Sequence, residues 1–343
     1  MKAAIFHEYG DPEVIKIEEI SEPEPGPGQV LVEIKAVGLN HLDLFVRQGL
    51  PGIRSVMPHI GGSDFTGIVK ALGPGASGFD VGQRVIDYPL ESFSGVPYYL
   101  CEDPPSGIFE IIGEQSNGGC CEVIAVNAPN LQLLPENLSF EEGASCPIVF
   151  ITAWRMLYQR ANLRPGETLL IQGAGSGVGT AAIQIGKLLG ARVIASTSTP
   201  QKIEGARALG ADEVINYREE SISGRIRELT GKAGADVVLE HVGDATWEES
   251  IKSAAYHGRI VTCGATTGFE GKTHLAILFA KQLSILGSTM GSLDCFKRVL
   301  RFLEEGKLKP VIDRIMPLEE CRKAHEILEA GEQFGKIVLK VGD

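Results

Sequence analysis

Two stretches of this sequence combine residue types and spacings that could do chemistry. The first holds Asn40, His41 and Asp43, a carboxamide, an imidazole and a carboxylate that directly follow the apolar run VLVEIKAVGL. Segments that connect rigid strands often carry functional side chains. The second is the cluster GAGSGVG, from Gly173 to Gly179, which follows the apolar run TLLI. Glycines at such a place let the backbone approach a phosphate group closely, so this cluster predicts an anion site.

The glycine cluster lies between a predicted strand and a predicted helix. ETLLIQ is a short apolar run, a small-residue helix is predicted from Thr180 to a closing Gly190, and the β-branched run ARVIAS follows. In such a strand–helix–strand unit, the helix dipole and free N–H groups face an anion. Val178 stands where a strict GxGxxG motif has its last glycine, so the flanking elements support the prediction more than the motif does. The glycines are Gly173, Gly175, Gly177 and Gly179.

Composition restricts the class of protein. The chain has 343 residues, 43% of them hydrophobic, which suggests two domains with buried cores. A net charge of −12 without a basic cluster predicts no nucleic-acid partner. No apolar run has the length of a membrane helix and no signal peptide is recognisable, so we expect no membrane partner and a cytoplasmic location. Seven cysteines without a CxxC spacing predict reduced thiols.

The chain reads as a β-rich first part followed by alternating strands and helices. Strand and turn patterns extend from Met1 to about Asp87, and the irregular stretch from Asp87 to Gly119 predicts a functional or mobile loop. Ser139 is a predicted N-cap of a linking helix with acidic residues in its first turn. The alternation that begins at Glu167 predicts a parallel, doubly wound sheet with a ligand crevice at the carboxyl ends of its strands.

Several motifs occur in an order typical of one family: GLNHLDLFVRQG, GGSDFTGIV, TAWRML, GAGSGVG, LGADEVINY, GRIVTCG and FGKIVL. The chain resembles the medium-chain dehydrogenase/reductase superfamily over nearly its whole length, and within it the zinc-free quinone oxidoreductase-like branch. The resemblance implies an α/β protein with a GroES-like catalytic domain at 1–137 and 293–343. It implies a Rossmann dinucleotide-binding domain at 138–292. The apolar segment at 283–291, a predicted edge strand, predicts a homodimer, and a homotetramer is the alternative.

The resemblance also bears on metal. In the zinc-dependent relatives the catalytic ligands are a Cys, a His and a third Cys or Asp, and the matching positions here are Asn40, Ser63 and Ile148. None of these is a good zinc ligand, because zinc prefers thiolate, imidazole or carboxylate. Cys146 and His41 would need a shift in register to restore the site. Of the four-cysteine structural zinc lobe only Cys101 remains, so we expect a metal-free protein.

Without a Lewis acid, reduction of an electron-poor acceptor is favoured over alcohol oxidation. The resemblance implies an NADPH-dependent reductase of quinones or other conjugated carbonyls, with Asn40 and Asp43 at the substrate end and Thr152 beside the nicotinamide. His41 is a candidate proton donor, because Phe45 stands where related quinone reductases often carry Tyr. A structural role stays open for His41, and Asp43 could serve only to cap its helix.

The predicted cofactor is NADPH, from the residues at the end of the second strand of the unit. Enzymes that prefer NAD carry Asp or Glu there, and this chain has Thr197. Hydroxyl groups at 196–198, and Lys202 in the first turn of a helix capped by Thr199, suit a 2′-phosphate. Tyr217 could stack on the adenine side. The predicted cofactor-binding residues are Gly173, Gly175, Ser176, Gly177, Val178, Gly179, Thr197, Ser198, Lys202, Tyr217, Val242, Gly264 and Lys336.

Three other functions remain open at this point. An enoyl-thioester or alkenal double-bond reductase would need a basic surface near the substrate, for which only Arg47 and Arg54 are candidates. A zinc-type alcohol dehydrogenase homologue and an NADPH-binding protein without turnover are the others. Four further histidines show no spacing that predicts a ligand set or a catalytic triad: His241, His257, His274 and His325.

Overall fold

The chain forms two compact units in a computed structural model that describes residues 1–49, 54–92 and 109–342. Unit 1 comprises Met1–Ile148 and Ser292–Asp343, and unit 2 comprises Val149–Gly291. Cys101 and residues 93–108 of the predicted loop from Asp87 to Gly119 lie outside the described residues. Within the described part of the chain, every helix is too short or too polar to cross a bilayer.

The strands are, in chain order, β1 (Lys2–Phe6), β2 (Lys16–Glu19), β3 (Gln29–Gly38), β4 (His59–Ile60), β5 (Asp64–Leu72), β6 (Arg84–Asp87), β7 (Leu90–Ser92), β8 (Phe109–Ile111), β9 (Val123–Asn127), β10 (Leu131–Leu133), β11 (Thr168–Ile171), β12 (Arg192–Thr197), β13 (Glu213–Asn216), β14 (Ala235–Glu240), β15 (Ala254–Thr262), β16 (Ser284–Gly287), β17 (Ile312–Pro317) and β18 (Lys336–Lys340).

The helices are α1 (His41–Gln48), α2 (Phe140–Ala144), α3 (Pro147–Trp154), α4 (Gly177–Leu188), α5 (Pro200–Ala208), α6 (Ile222–Leu229), α7 (Asp244–Ser253), α8 (Leu275–Ala280), α9 (Leu293–Glu304) and α10 (Cys321–Glu329). A π-helical segment, Arg155–Arg160, continues α3. The predicted caps are confirmed: Ser139 Oγ accepts the Glu142 N–H at 3.1 Å, and Thr199 Oγ1 accepts the Lys202 N–H at 3.3 Å.

Unit 1 is organised around β3, most of whose residues are buried. The main sheet has the order β10-β6-β5-β3-β18-β17, and β9 also pairs with β3. β18 pairs antiparallel with β3, from Val338 opposite Gly38 to Lys340 opposite Ala36. The last strand of the chain therefore lies beside the strand that leads into α1, which brings residues far apart in sequence to one place.

The first domain boundary differs from the prediction, which placed residues 138–148 in the Rossmann domain. These residues belong to unit 1. Ala144 at the end of α2 packs in one cluster with Ala36 of β3 and Val338 of β18. The contact is close, because a Cβ added to Gly38 would lie 2.1 Å from the Ala144 carbonyl oxygen. The helix that was expected to open the second domain is thus part of the first unit's core.

Unit 2 contains the predicted parallel, doubly wound sheet. Its six strands have the order β13-β12-β11-β14-β15-β16, and every pair is parallel. The strand order reverses between β11 and β14, and ligands of such Rossmann sheets bind outside the carboxyl ends at that switch point. The helix after β11 begins at Gly177, three residues before the predicted Thr180, because Ser176 caps it. The fold class expected from the sequence is confirmed.

Candidate cofactor and active site

The loop between β11 and α4 is shaped by its glycines and by Ser176. Gly173 has a φ of +64°, a left-handed conformation that an L-residue with a side chain adopts at a cost. Ser176 Oγ accepts the N–H of Gly179 at 2.8 Å and so caps α4. A Cβ on Gly179 would lie 2.5 Å from the Gly173 carbonyl oxygen, so only glycine allows the helix to approach the strand this closely.

Three backbone N–H groups of this loop have no hydrogen-bond partner among the described residues. They belong to Gly175, Gly177 and Val178, whereas the neighbouring Ser176 N–H donates to the Gly173 carbonyl at 3.0 Å. Unpaired N–H groups at a helix N-terminus, together with the helix dipole, form an anion-binding cradle. The loop therefore fits the pyrophosphate of a dinucleotide.

The end of β12 places the residues predicted to select the cofactor. Thr197 is buried, and Tyr217, about half exposed, donates its N–H to the Thr197 carbonyl at 3.1 Å. The side chain of Lys202 covers the glycine-rich loop, since a Cβ on Gly175 would lie 2.9 Å from Lys202 Cδ. Ser198 is half-buried next to Thr197. These residues surround one end of the loop.

Ser196 does not have the role predicted for it. Its side chain is fully buried, and its hydroxyl donates to Gln172 Oε1 at 2.6 Å. The hydroxyl proton is therefore used inside the sheet, and the prediction that Ser196 donates to a 2′-phosphate is wrong.

His241 is a residue that sequence reasoning missed. It follows β14 directly and is 8% exposed, and its Nε2 lies 3.1 Å from Ser176 Oγ. A Cβ on Gly173 would lie 3.0 Å from His241 Cε1, so the imidazole packs on the glycine-rich loop. Burial lowers the pKa of His241, and the neighbouring Glu240 carboxylate opposes that change. The sequence did contain one signal for this role. His241 directly follows a strand at the switch point, where ligands of such sheets bind.

Val242 and Gly264, also predicted to bind the cofactor, lie next to His241. The Val242 carbonyl accepts the Thr267 N–H at 2.8 Å, and Val242 Cγ2 would lie 3.2 Å from a Cβ on Gly173. A Cβ on Gly264 would lie 2.9 Å from the His241 carbonyl oxygen. Both residues thus line the carboxyl edge of the sheet beside the loop.

In unit 1, Asn40, Asp64 and Lys336 form a buried polar cluster, which we call the lysine cluster. Lys336 Nζ donates to Asn40 Oδ1 at 2.6 Å and to Asp64 Oδ2 at 3.2 Å. Both amide protons of Asn40 are also used, because Nδ2 donates to Asp64 Oδ2 at 2.9 Å and to the Gly38 carbonyl at 3.2 Å. Lys336, predicted to bind the cofactor, has only 4% of its surface exposed.

A second buried carboxylate, Asp87, lies near the lysine cluster. The Asp87 Oδ1 atom accepts the Phe65 N–H at 2.6 Å, while Oδ2 has no partner within the described residues. Burial, and next the charge of Asp64, raise the pKa of Asp87 well above its usual range. Burial also raises the pKa of Asp64, against the effect of Lys336. The Lys336 ammonium is in contact with Asp64 and acts only more weakly on Asp87, so ionisation is favoured at Asp64 over Asp87.

Asp43 has the capping role that the sequence left open. Its Oδ2 accepts the Asn40 N–H at 2.7 Å, and its Oδ1 accepts the Gly62 N–H at 2.8 Å. Two backbone N–H groups therefore hold this carboxylate, which is 2% exposed, at the start of α1. His41 is the first residue of α1 and is half-buried. Thr152 is buried in α3 and belongs to unit 2.

The residues at the expected zinc-ligand positions do not fit zinc. Asn40 Oδ1 is occupied by an ammonium group, Ser63 is a buried hydroxyl, and Ile148 contributes a backbone N–H that donates to Asp64 Oδ1 at 3.0 Å. Across the described residues, no group of three His, Cys, Asp or Glu side chains could hold a metal ion. A fixed cation beside these positions would also repel Zn²⁺.

Arg47 does not supply the basic surface that a thioester reductase would need. Its side chain is fully buried, and it donates to the Gly10 carbonyl at 3.1 Å and to Glu329 at 3.1 Å. The sequence-based support for that alternative is therefore reduced to Arg54.

Comparison with known proteins identifies the family of the chain. A family described as alcohol dehydrogenase GroES-like domain matches residues 26–136, and one described as zinc-binding dehydrogenase matches residues 177–305. Quinone oxidoreductase of Rattus norvegicus is 31% identical over 348 residues, which cover 99% of this chain and 97% of the relative.

Two solved structures resemble the whole chain. An NAD-dependent alcohol dehydrogenase has a TM-score of 0.94 and 44% identity, with 100% of both chains covered. A crotonyl-CoA carboxylase/reductase in complex with NADP has a TM-score of 0.90 and 27% identity, covering 99% of this chain and 95% of that one. The superfamily that these matches define binds nicotinamide cofactors. The chain is an oxidoreductase that belongs to the medium-chain dehydrogenase/reductase superfamily, in its quinone oxidoreductase-like branch.

Proposed function

We propose that this protein is an NADPH-dependent reductase of quinones or related conjugated carbonyls that works without a catalytic metal. The observation that carries the proposal is that Asn40, Ser63 and Ile148 stand at the expected zinc-ligand positions, and that the Lys336 ammonium group contacts Asn40 Oδ1 at 2.6 Å. Without a Lewis acid to bind an alkoxide, an acceptor that is already electron-poor is the more suitable substrate. The similarity to quinone oxidoreductases favours the same substrate class.

The roles of the chain's own residues follow from their contacts. The N–H groups of Gly175, Gly177 and Val178 would hold the pyrophosphate of the cofactor, which when bound supplies a hydride. Asp43 holds the start of α1 by accepting the Asn40 N–H, and the Asn40 side chain is held by Gly38, Asp64 and Lys336. His41, half-buried at the first position of α1, is the proposed donor of the proton to the acceptor oxygen.

The choice of NADPH rests on the end of β12. Thr197 places no carboxylate there, and the side chain of Lys202 lies over the loop, so a 2′-phosphate would meet a cation instead of an acid. The names of related structures point in both directions, one to NAD and one to NADP. Lys202 and Thr197 therefore carry this part of the proposal.

Two substitutions test the cofactor. A carboxylate about 5 Å from a phosphate, at an effective dielectric constant of about 20, costs roughly 3 kcal/mol per charge pair, or about a hundredfold in affinity. Thr197→Asp should therefore weaken NADPH binding far more than NADH binding, and Lys202→Ala should weaken NADPH binding alone. Lys252→Ala is the control, because Lys252 is exposed and ion-paired with Glu248 on α7. Equal losses of both cofactors in both variants would contradict the choice of NADPH.

A substrate panel and elemental analysis test the reaction. Oxidation of NADPH should be measured with 1,2-naphthoquinone, an alkenal and crotonyl thioester, and oxidation of a primary alcohol in the reverse direction. Fastest turnover of the quinone or alkenal supports the proposal, whereas fastest turnover of the thioester favours the double-bond reductase. About one zinc per chain after dialysis, with activity lost to a chelator, would identify a zinc-type alcohol dehydrogenase instead. Cofactor binding without turnover of any substrate would leave a non-catalytic NADPH-binding protein.

A homodimer is proposed from the edge of the unit 2 sheet. β16 is an edge strand with mostly exposed residues, and α8 beside it in sequence has no buried residue. Leu275 and Phe279 of α8 are 68% and 72% exposed, which leaves apolar surface that a second copy could cover. Light scattering at micromolar concentration should give the mass of two chains, and Phe279→Asp should lower it. A one-chain mass in the unmodified protein would contradict the dimer.

A further inference from the structure

The hydrogen bonds around Ser176 determine the state of His241. The hydroxyl oxygen of Ser176 already accepts the Gly179 N–H at 2.8 Å, and its only proton is left to donate. His241 Nε2, at 3.1 Å, is the acceptor for that proton when the imidazole is neutral. The neutral imidazole therefore carries its own proton on Nδ1, and the Ser176 hydroxyl donates its proton to the histidine and not to an anion in the cradle.

Protonation of His241 would reverse this hydrogen bond. An imidazolium carries a proton on Nε2 and can only donate, so Ser176 Oγ would then accept from both His241 and Gly179. With both acceptor positions filled, the hydroxyl proton is free to donate to a third group. The unpaired N–H groups of Gly177 and Val178 immediately follow Ser176 and mark where an anion would lie.

We propose that His241 is a cofactor-binding residue that controls the pyrophosphate cradle, holding the Ser176 hydroxyl away from the cradle when neutral and releasing it to the pyrophosphate when protonated. The inference deepens the proposed function and rests on its placement of the cofactor at the glycine-rich loop. Binding of the pyrophosphate would take up a proton on His241, and acid pH would tighten binding.

The charges around His241 determine whether acid pH strengthens or weakens binding of the pyrophosphate. Glu240 is the charged group that acts on it, and Gln172 and Ser176, from the neighbouring strand and loop, are neutral. The Glu240 carboxylate is engaged by the N–H groups of Val242 and Gly243 and by two hydroxyls. Burial lowers the pKa of His241 below the ordinary 6.5, and a bound dianion would raise it. The affinity for the pyrophosphate should therefore increase as the pH falls through the pKa of His241.

ADP-ribose is the probe that isolates the pyrophosphate, because it lacks both the nicotinamide and a 2′-phosphate that would itself titrate. Calorimetry on the full-length protein between pH 8 and pH 5.5 should show binding that becomes about tenfold tighter at the acid end, the effect of one hydrogen bond to a charged group. Titrations in two buffers of different ionisation enthalpy should record the uptake of up to one proton per ADP-ribose.

The matched variants are His241→Gln and His257→Gln. Glutamine cannot be protonated but can still accept from Ser176, so His241→Gln should bind with an affinity independent of pH and without proton uptake. His257 is exposed on β15, and its glutamine variant should behave like the unmodified protein. If glutamine is not accommodated at this position, His241→Asn is the second variant. The pH dependence of ADP-ribose binding by the unmodified protein also tests the inference by itself.

The outcomes separate the inference from the function on which it rests. Binding of ADP-ribose that is independent of pH in the unmodified protein, or a pH dependence kept by His241→Gln, would overturn the role of His241 alone. Absence of ADP-ribose binding at every pH would remove the cofactor from the loop, and would overturn the inference and the proposed cofactor site together.

Discussion

The lysine cluster of unit 1 and the glycine-rich loop of unit 2 both gather polar groups in one place, but they use those groups differently. In the lysine cluster, the ammonium, the carboxylate and both amide protons of Asn40 bond to one another or to the Gly38 carbonyl. In the loop, three backbone N–H groups are left without partners in the described chain. The first arrangement satisfies its own charges, and the second is completed only by a ligand.

The difference shows which residues of a predicted site have groups available for a ligand and which residues hold the structure in place. A polar group without a protein partner is available to a ligand, whereas a group that is already paired would have to give up a bond. The side chains of Asn40 and Asp43 are held by bonds within the protein before any substrate binds. Substitutions in the lysine cluster should therefore reduce stability, and substitutions in the loop should reduce cofactor binding.

The largest effect is expected from Lys336→Met. The change leaves the Asp64 carboxylate buried without its cation, and breaking a buried ion pair typically costs about 3–5 kcal/mol. Urea unfolding followed by fluorescence measures the loss. Lys340→Met is the matched control, because Lys340 ends the same strand but is exposed. If Lys336→Met is as stable as its control and loses only cofactor affinity, the cluster is a ligand site and the contrast with the loop fails.

The next effect is expected from Gly179→Ala. The added Cβ would meet the Gly173 carbonyl oxygen at 2.5 Å, and the loop must shift to relieve it. Overpacking of this kind costs about 1–3 kcal/mol, so dinucleotide affinity should fall roughly tenfold to a hundredfold. Gly224→Ala is the control, because a Cβ at that helical glycine meets its neighbours at 3.4 Å, an ordinary contact. Equal dissociation constants for Gly179→Ala and the control would show that the loop tolerates a side chain and does not grip the ligand closely.

The smallest effect is expected from Asp87→Asn, which should change how the unfolding free energy depends on pH. Because the pKa of Asp87 is raised in the folded state, its contribution to stability is complete below the unfolded value of 3.8 and is lost as the pH rises towards the folded value. Asparagine cannot ionise, so the variant should lack this decline and be at least as stable as the original protein at neutral pH. Unfolding free energies measured from pH 4 to 8 test this. A variant whose stability declines with pH as steeply as that of the original protein would mean that the pKa of Asp87 is not raised in the fold.

The sequence predicted what depends on residues near each other in the chain. The strand, glycine turn and helix around Gly173 are consecutive, so their pattern indicates both the fold and the anion site. The caps at Ser139 and Thr199 were predicted for the same reason. The start of α4 was placed three residues late, because Ser176 was not recognised as the cap inside a glycine-rich segment.

The sequence could not predict contacts between distant residues. Lys336 and Asn40 are 296 positions apart, and only the pairing of β18 with β3 brings them together. His241 and Ser176 are separated by 65 positions, so no local spacing marks them as a pair. The family resemblance implied that Asn40 and Asp43 lie at the substrate end. It could not show that both side chains already form hydrogen bonds within the protein.

The pairing of β18 with β3 has a consequence for how the chain is made. Unit 2 is one continuous segment, whereas unit 1 needs residues from both sides of it. Domains fold largely in the order of their synthesis, so a ribosome that has just released the whole of unit 2 has still to release β18. At that moment β3 still has an open edge, and Asp64 still lacks the ammonium group of Lys336. A stalled or truncated nascent chain would therefore carry a complete nucleotide-binding unit next to an unfinished sheet, a ready substrate for chaperones and proteases.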